Sequence, residues 1–113
     1  MGKTHGVLPL SSAMFYILVA LADGERNGAA ITNEVEDLTD GEITLPPGTL
    51  YRLIKQLVVD GWITETERID DDLRLRYYRL TPRGREIARA EAKRLNDVLR
   101  VAQMRRLLPS ERV

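Results

Sequence analysis

Cysteine is absent from the 113 residues, and histidine occurs once, as His5. Without thiolates there is neither a disulfide framework nor a thiolate metal site, and a lone histidine in a polar N-terminal tail gives no metal-ligand spacing. A Gly-rich phosphate loop and a nucleophile elbow are missing as well, and the carboxylates sit in loops and on charged faces. An enzyme is therefore not expected, and no cofactor or metal is. Long apolar runs are also lacking. The tail from Met1 to Val7 has no hydrophobic core of signal-peptide length, and Ala13–Ala22 is too short to cross a bilayer, so a cytoplasmic protein without a membrane partner is expected. Net charge is absent too: 17 basic residues balance 17 acidic ones.

That balance hides a division along the chain. Between Asp23 and Asp72 the only bases are Arg26, Arg52, Lys55 and Arg68. From Arg74 to Arg106 the arginines and lysines face only Glu86, Glu91 and Asp97. A local basic field can persist in a neutral protein, although part of this charge serves to keep a helix soluble. The length fits one domain with a modest core, small enough for oligomerisation to be plausible.

The stretch from Thr44 to Ile63 is the most informative. Pro46 and Pro47 suit a helix start, and Gly61 suits the left-handed position just past a helix end. Between them Leu50, Leu53, Ile54, Leu57 and Val58 follow the spacing of a buried stripe. The opposite face carries Thr49, Tyr51, Arg52, Lys55 and Gln56, hydrogen-bonding types crowded into the first turns, as in a helix that enters a DNA groove N-terminus first. The plain alternative is a solvated face.

Upstream, Ala13–Ala22 reads as a buried helix capped by Ser11 or Ser12 and ended at Asp23-Gly24. Asn27 and Gly28 open a second helix, about Ala29 to Leu38, with Ala30, Ile31, Val35 and Leu38 as its apolar stripe. A turn at Thr39–Glu42 then joins two short helices in helix-turn-helix fashion. Downstream, Trp62–Ile69 and Leu73–Leu80 read as two strands around Asp70-Asp71-Asp72, with Glu65 and Glu67 able to pair with arginines across the hairpin. Three helices and a hairpin make a winged helix. The acidic tip should stand away from phosphate, while Arg74 and Arg76, nearer the base of the second strand, can reach it.

Thr81-Pro82 starts a last helix whose periodicity continues to Leu108, before Pro109. Ala88, Ala92, Leu95, Leu99 and Ala102 alternate steps of four and three, a spacing that wants a partner helix. Trp62 is expected in the core. The fold class expected is α+β: a mostly helical winged helix-turn-helix with a two-stranded wing over residues 1–80, and a C-terminal dimerisation helix over residues 81–113 in the same compact unit.

The segments Leu18–Gly24, Asn27-Gly28, Leu45–Tyr51, Asp60–Ile63 and Arg76–Gly84 together resemble the PadR family of bacterial transcriptional regulators, over nearly the whole chain. The single C-terminal helix is similar to that of its short members. The resemblance implies a homodimeric repressor that binds double-stranded DNA at a pseudo-palindromic operator and is released by a small-molecule effector of unknown identity. It also implies phosphate contacts by Thr49, Tyr51 and Arg76. Three departures stand out. Asn27-Gly28-Ala29 replaces a histidine-glycine-tyrosine start of the second helix, the wing tip is acidic, and no aromatic residue follows Tyr78. A winged-helix protein-interaction module without specific DNA binding is the competing reading.

Overall fold

The structure, a computed structural model, describes residues 6–109. His5 and most of the N-terminal tail lie outside the described residues, as do the last four residues of the chain.

Helix α1 spans Ser12–Ala20. Ser11 precedes it in extended conformation, and its hydroxyl accepts the Met14 amide at 3.2 Å, occupying one of the donors that a helix start leaves without a carbonyl. Met14, Ile17, Leu18 and Ala20 are buried, whereas Phe15, Tyr16 and Val19 on the other side are half-buried, so the helix is enclosed on one face and not, as its composition suggests, all round. Arg26 and Asn27 form a two-residue strand, β1, and α2 follows over Gly28–Leu38. The Asn27 side chain caps α2 by accepting the Ala30 amide at 2.8 Å. Ile31 and Val35 are its buried apolar side chains, whereas Ala30 is half-buried and Leu38, the last helical residue, lies exposed beyond the reach of the core.

Helix α3 runs Pro47–Val59 and buries Leu50, Leu53, Ile54 and Leu57. Its end is closed by Gly61 at φ 77°, with the Gly61 amide on the Val58 carbonyl at 3.0 Å and the Trp62 amide on the Leu57 carbonyl at 2.9 Å. This paired return uses up two orphan carbonyls and turns the chain directly into the sheet.

Strands β2 (Ile63–Asp70) and β3 (Leu73–Leu80) form an antiparallel hairpin. Asp71 and Asp72 have φ of 51° and 65°, the pattern of a type I′ turn, which short polar side chains tolerate and which matches the twist of the strands. The sheet is wider than the two-stranded wing expected. β1 pairs with β3, Arg26 opposite Tyr78 and Asn27 opposite Tyr77, giving the order β1-β3-β2. Two residues are too few to show alternation, so only their place beside β3 reveals them as a strand.

Helix α4 spans Pro82–Met104. Thr81 caps it by accepting the Gly84 amide at 3.0 Å and donates its hydroxyl to the Gly61 carbonyl at 2.6 Å, which ties the start of α4 to the end of α3. At Gly84 a Cβ would collide with the Trp62 carbonyl oxygen, so this glycine lets two backbones touch. Trp62 is buried beside it, as its position implied.

The helix stops four residues before the expected Leu108. Arg106, at φ 62°, closes it, with the Leu107 amide on the Ala102 carbonyl at 2.9 Å. Leu107 and Leu108 belong to the apolar pattern of the sequence but not to the helix. Ile87 completes the core at the start of α4, Glu91 is the last buried residue of the helix, and the longest dimension of the molecule is 55 Å.

Candidate nucleic-acid interface

Helix α3 divides its two faces as its sequence does. The leucine and isoleucine side is fixed in the core, which leaves Arg52, Lys55 and Gln56 exposed and Tyr51 half-exposed at 51 %. Thr49, in the first turn, is half-buried. Arg52 and Lys55 form no ion pair among the described residues, so their charges are available to a partner.

Tyr51 is placed by a residue on another helix. Its hydroxyl would lie 2.5 Å from a Cβ at Gly28, so the phenol rests directly on the first residue of α2. A side chain at position 28 would push it out. Gly28 at the α2 start, Tyr51, Arg74 and Arg76 border one groove of about 410 Å³ together with Asn27 and Ala29. The first residues of α2, a phenol and two guanidinium groups line it together, the chemistry of a phosphate contact.

The wing arginines are held at this groove by acids across the hairpin. Arg76 lies 3.8 Å from Glu65 and Arg74 lies 4.0 Å from Glu67. Both pairs are largely solvated, so they orient the guanidinium groups without neutralising them strongly. Arg74 is not near the base of β3 as the sequence suggested. It pairs with Ile69, one rung from the tip, because β3 begins at Leu73. The outer face of the wing is occupied differently: Arg68 stacks on Tyr77 at 4.7 Å and pairs with Glu25.

Arg26 fixes the start of α2 from behind. Its Nε donates to the Ala20 carbonyl at 2.7 Å, and its Nη2 reaches Asp23 at 3.3 Å and Glu34 at 3.6 Å. The end of α1, strand β1 and helix α2 are thereby joined by one side chain. Neither this bridge nor the Gly28–Tyr51 contact was evident from the sequence. Asn27-Gly28 read as a turn and cap, and only the fold shows what lies over the glycine.

The proposed dimer residues occupy one side of α4. Ala88 and Ala102 are half-buried, while Ala92, Leu95 at 40 % and Leu99 at 38 % are exposed, with Val98, Val101 and Met104 more exposed still. Where this face meets the domain lies Glu91, 2 % exposed and the one buried charge in the described core. Its carboxylate accepts Arg94 Nε at 2.7 Å, Arg94 Nη2 at 2.9 Å and the Leu10 amide at 3.3 Å. The Arg94 hydrogen bonds hold its pKa below the ordinary carboxylate value, against the opposing effect of burial. By sequence Glu91 was one acid among many bases, and nothing local marked it as buried.

Among the described residues no cluster of His, Cys, Asp or Glu is arranged to hold a metal ion, and no helix is long and apolar enough to cross a membrane. Residues 17–90 match the family model described as the transcriptional regulator PadR-like family. A transcriptional regulator of Mycobacterium tuberculosis is 32 % identical over 90 residues, covering 80 % of this chain and 81 % of that protein. Among solved structures, a PadR family transcription regulator of Clostridium difficile superposes with a TM-score of 0.73 at 19 % identity, covering 83 % of this chain and 97 % of the other. Bacillus subtilis PadR in complex with operator DNA superposes with a TM-score of 0.65 at 25 % identity, covering 73 % of this chain and 46 % of that one.

Proposed function

This chain belongs to the PadR-like family of transcriptional regulators, and on that footing we propose that it is a homodimeric repressor that reads a pseudo-palindromic operator with α3 and is released by a small molecule. The observation that carries this reading is the face of α3 bearing Arg52, Lys55 and Gln56, which is exposed and makes no ion pair among the described residues while the opposite face closes the core. The operator complex of the Bacillus subtilis relative supports it.

Roles divide by position. Arg52, Lys55 and Gln56 enter the major groove, where an arginine or glutamine can discriminate base edges. Tyr51, Arg74, Arg76 and the start of α2 grip a phosphate at the groove edge, and Thr49 assists from the first turn. Residues 1–80 form the reading unit, and the helix within 81–113 joins two of them through Ala88, Ala92, Leu95, Leu99 and Ala102.

The test is binding to an operator selected in vitro from random duplexes, followed by fluorescence anisotropy over a salt series. Affinity should fall steeply with salt, because each neutralised phosphate releases counterions. Arg52→Ala/Lys55→Ala should abolish selection of the operator while leaving the fold intact. A folded double variant that binds the operator as tightly as wild type overturns the assignment of α3. A wild type showing no salt-dependent binding to any duplex favours the protein-interaction reading, to which the Asp70–Asp72 tip is suited.

A further inference from the structure

The hairpin that carries Arg74 and Arg76 is supported at one end only. Ile63, Tyr78 and Leu80 bury its base, whereas β2 from Glu65 onward is exposed. Strand β1 flanks β3 at Tyr77 and Tyr78 and no further, so towards the tip the wing is a two-stranded ribbon with no other strand beside it among the described residues. A ribbon of two strands is marginally ordered by itself, and its own backbone does not fix its angle to α2 and α3.

One side chain ties this ribbon back to the body. Arg68 pairs with Leu75, the residue between Arg74 and Arg76, and alternation along the strands puts its side chain on the face opposite theirs. There its guanidinium lies 4.7 Å from the centre of the Tyr77 ring and meets the Glu25 carboxylate. Glu25 precedes β1, and its neighbour Arg26 is held by the Ala20 carbonyl, Asp23 and Glu34. The anchor is therefore firm, and it acts at the level of the two arginines.

We infer that Glu25 and Arg68 are positioning residues for DNA binding: together they set the wing angle at which Arg74 and Arg76 reach phosphate, and Arg68 itself does not touch DNA. This rests on the DNA-binding reading above, which places Arg74 and Arg76 on the backbone. The Arg68 side chain is 51 % exposed, so the pair adds little to stability and the fold survives its removal. The same small free energy limits its effect on DNA, because a tie can bias an orientation by no more than its own strength. A several-fold change is therefore the scale to expect, and its sign is diagnostic. Deleting an acid ordinarily strengthens DNA binding by raising the local potential, whereas deleting Glu25 should weaken it.

Glu25→Gln and Arg68→Gln should each weaken binding to selected and random duplexes alike, by about threefold to tenfold, since a phosphate contact is misplaced in both. Asp37→Asn, which removes an exposed acid of α2 that makes no ion pair among the described residues, should not weaken it. In an Arg74→Gln/Arg76→Gln background the Glu25 and Arg68 substitutions should lose their effect, because they act through those arginines. Unchanged or tighter binding by Glu25→Gln overturns the inference, and so does a loss that persists in full without Arg74 and Arg76, the result expected if Arg68 bound phosphate itself. The wing angle is read apart from DNA. As the chain lacks cysteine, Leu73→Cys and Asn33→Cys, at exposed positions near the wing tip and on α2, take spin labels at those two sites alone, and pulsed electron paramagnetic resonance gives the distribution of their separation. The distribution should be narrow in the otherwise wild-type chain and broaden with Glu25→Gln or Arg68→Gln; equal widths overturn the inference whatever happens on DNA. Broadening in a protein that binds no duplex leaves Arg68 as the residue that sets the wing angle and refutes the DNA-binding reading instead.

Discussion

Gly28 and Gly84 both leave room for a neighbour, yet their substitution by alanine should have opposite consequences. At Gly84 the added methyl meets the Trp62 carbonyl, which is backbone held between α3 and β2 and cannot step aside. Gly84→Ala should cost roughly 3 kcal/mol or more, as overpacking does where nothing can relax, and a denaturant titration reads this directly. At Gly28 the methyl meets only the far end of Tyr51, which can swing away. Stability should then change by less than about 1 kcal/mol, since alanine also favours the helix. DNA affinity should drop several-fold for specific and random duplexes alike, because the phenol has left its phosphate position. Equal affinity in Gly28→Ala and wild type would return Tyr51 to a packing role. Glu91 makes a third prediction at this scale. Its folded pKa lies below the ordinary 4.5, so its contribution is complete above that pH and is lost as pH falls through the folded value. Glu91→Gln should therefore destabilise by about 1 to 3 kcal/mol at pH 7, and the difference from wild type should shrink in acid. A difference that stays constant down to pH 3 refutes the assignment.

At the scale of elements, what the sequence made legible follows from whether the signal is local. Pro46-Pro47 and Gly61 bound α3, and Thr81-Pro82 starts α4, because caps act on the residues beside them. The candidate DNA face was legible for the same reason: Arg52, Lys55 and Gln56 lie opposite a regular apolar stripe. The end of α4 was not, since an arginine takes the left-handed position usually given to glycine while the apolar pattern continues into Leu107. β1 and the Gly28–Tyr51 contact depend on neighbours distant in sequence and leave no local trace. The wing is the element whose chemistry opposes its expected role. Its Asp71-Asp72 turn adopts positive φ at both positions, a geometry that asparagine and glycine adopt at least equally well. Replacing the pair by Asn-Gly should keep the hairpin and remove two negative charges from the tip. Affinity for any duplex should then rise at low salt, with the gain fading above about 0.15 M as screening takes over. No gain at low salt places the tip outside the field of DNA.

At the scale of the whole molecule, the helix that carries the exposed apolar face is also the longest, and these two facts are connected. At about 1.5 Å per residue, a helix of 23 residues spans roughly 34 Å. Its first half is tied to the domain, with Ile87 and Glu91 buried and Ala92 and Leu95 beside α1. It still presents Leu95, Val98, Leu99 and Val101 to solvent, a contiguous strip of the kind soluble monomers rarely keep. Pairing two such helices would bury the strip. It would also fix the separation of the two α3 helices, which must be about one turn of DNA, or roughly 34 Å, to read an inverted repeat. Dimerisation and operator spacing are then one property, and a change in α4 packing must appear in both. Leu95→Glu/Leu99→Glu places charges on positions already 40 % and 38 % exposed, so the monomer fold should survive while the pair is lost. Sedimentation should show the wild type as a dimer at micromolar concentration and the variant as a monomer. The variant should retain weak binding to a single half-site and lose its preference for the spaced repeat, since each reading unit is intact but the two are no longer coupled. A variant that still dimerises, or a monomeric wild type that selects a spaced repeat, removes α4 from this role.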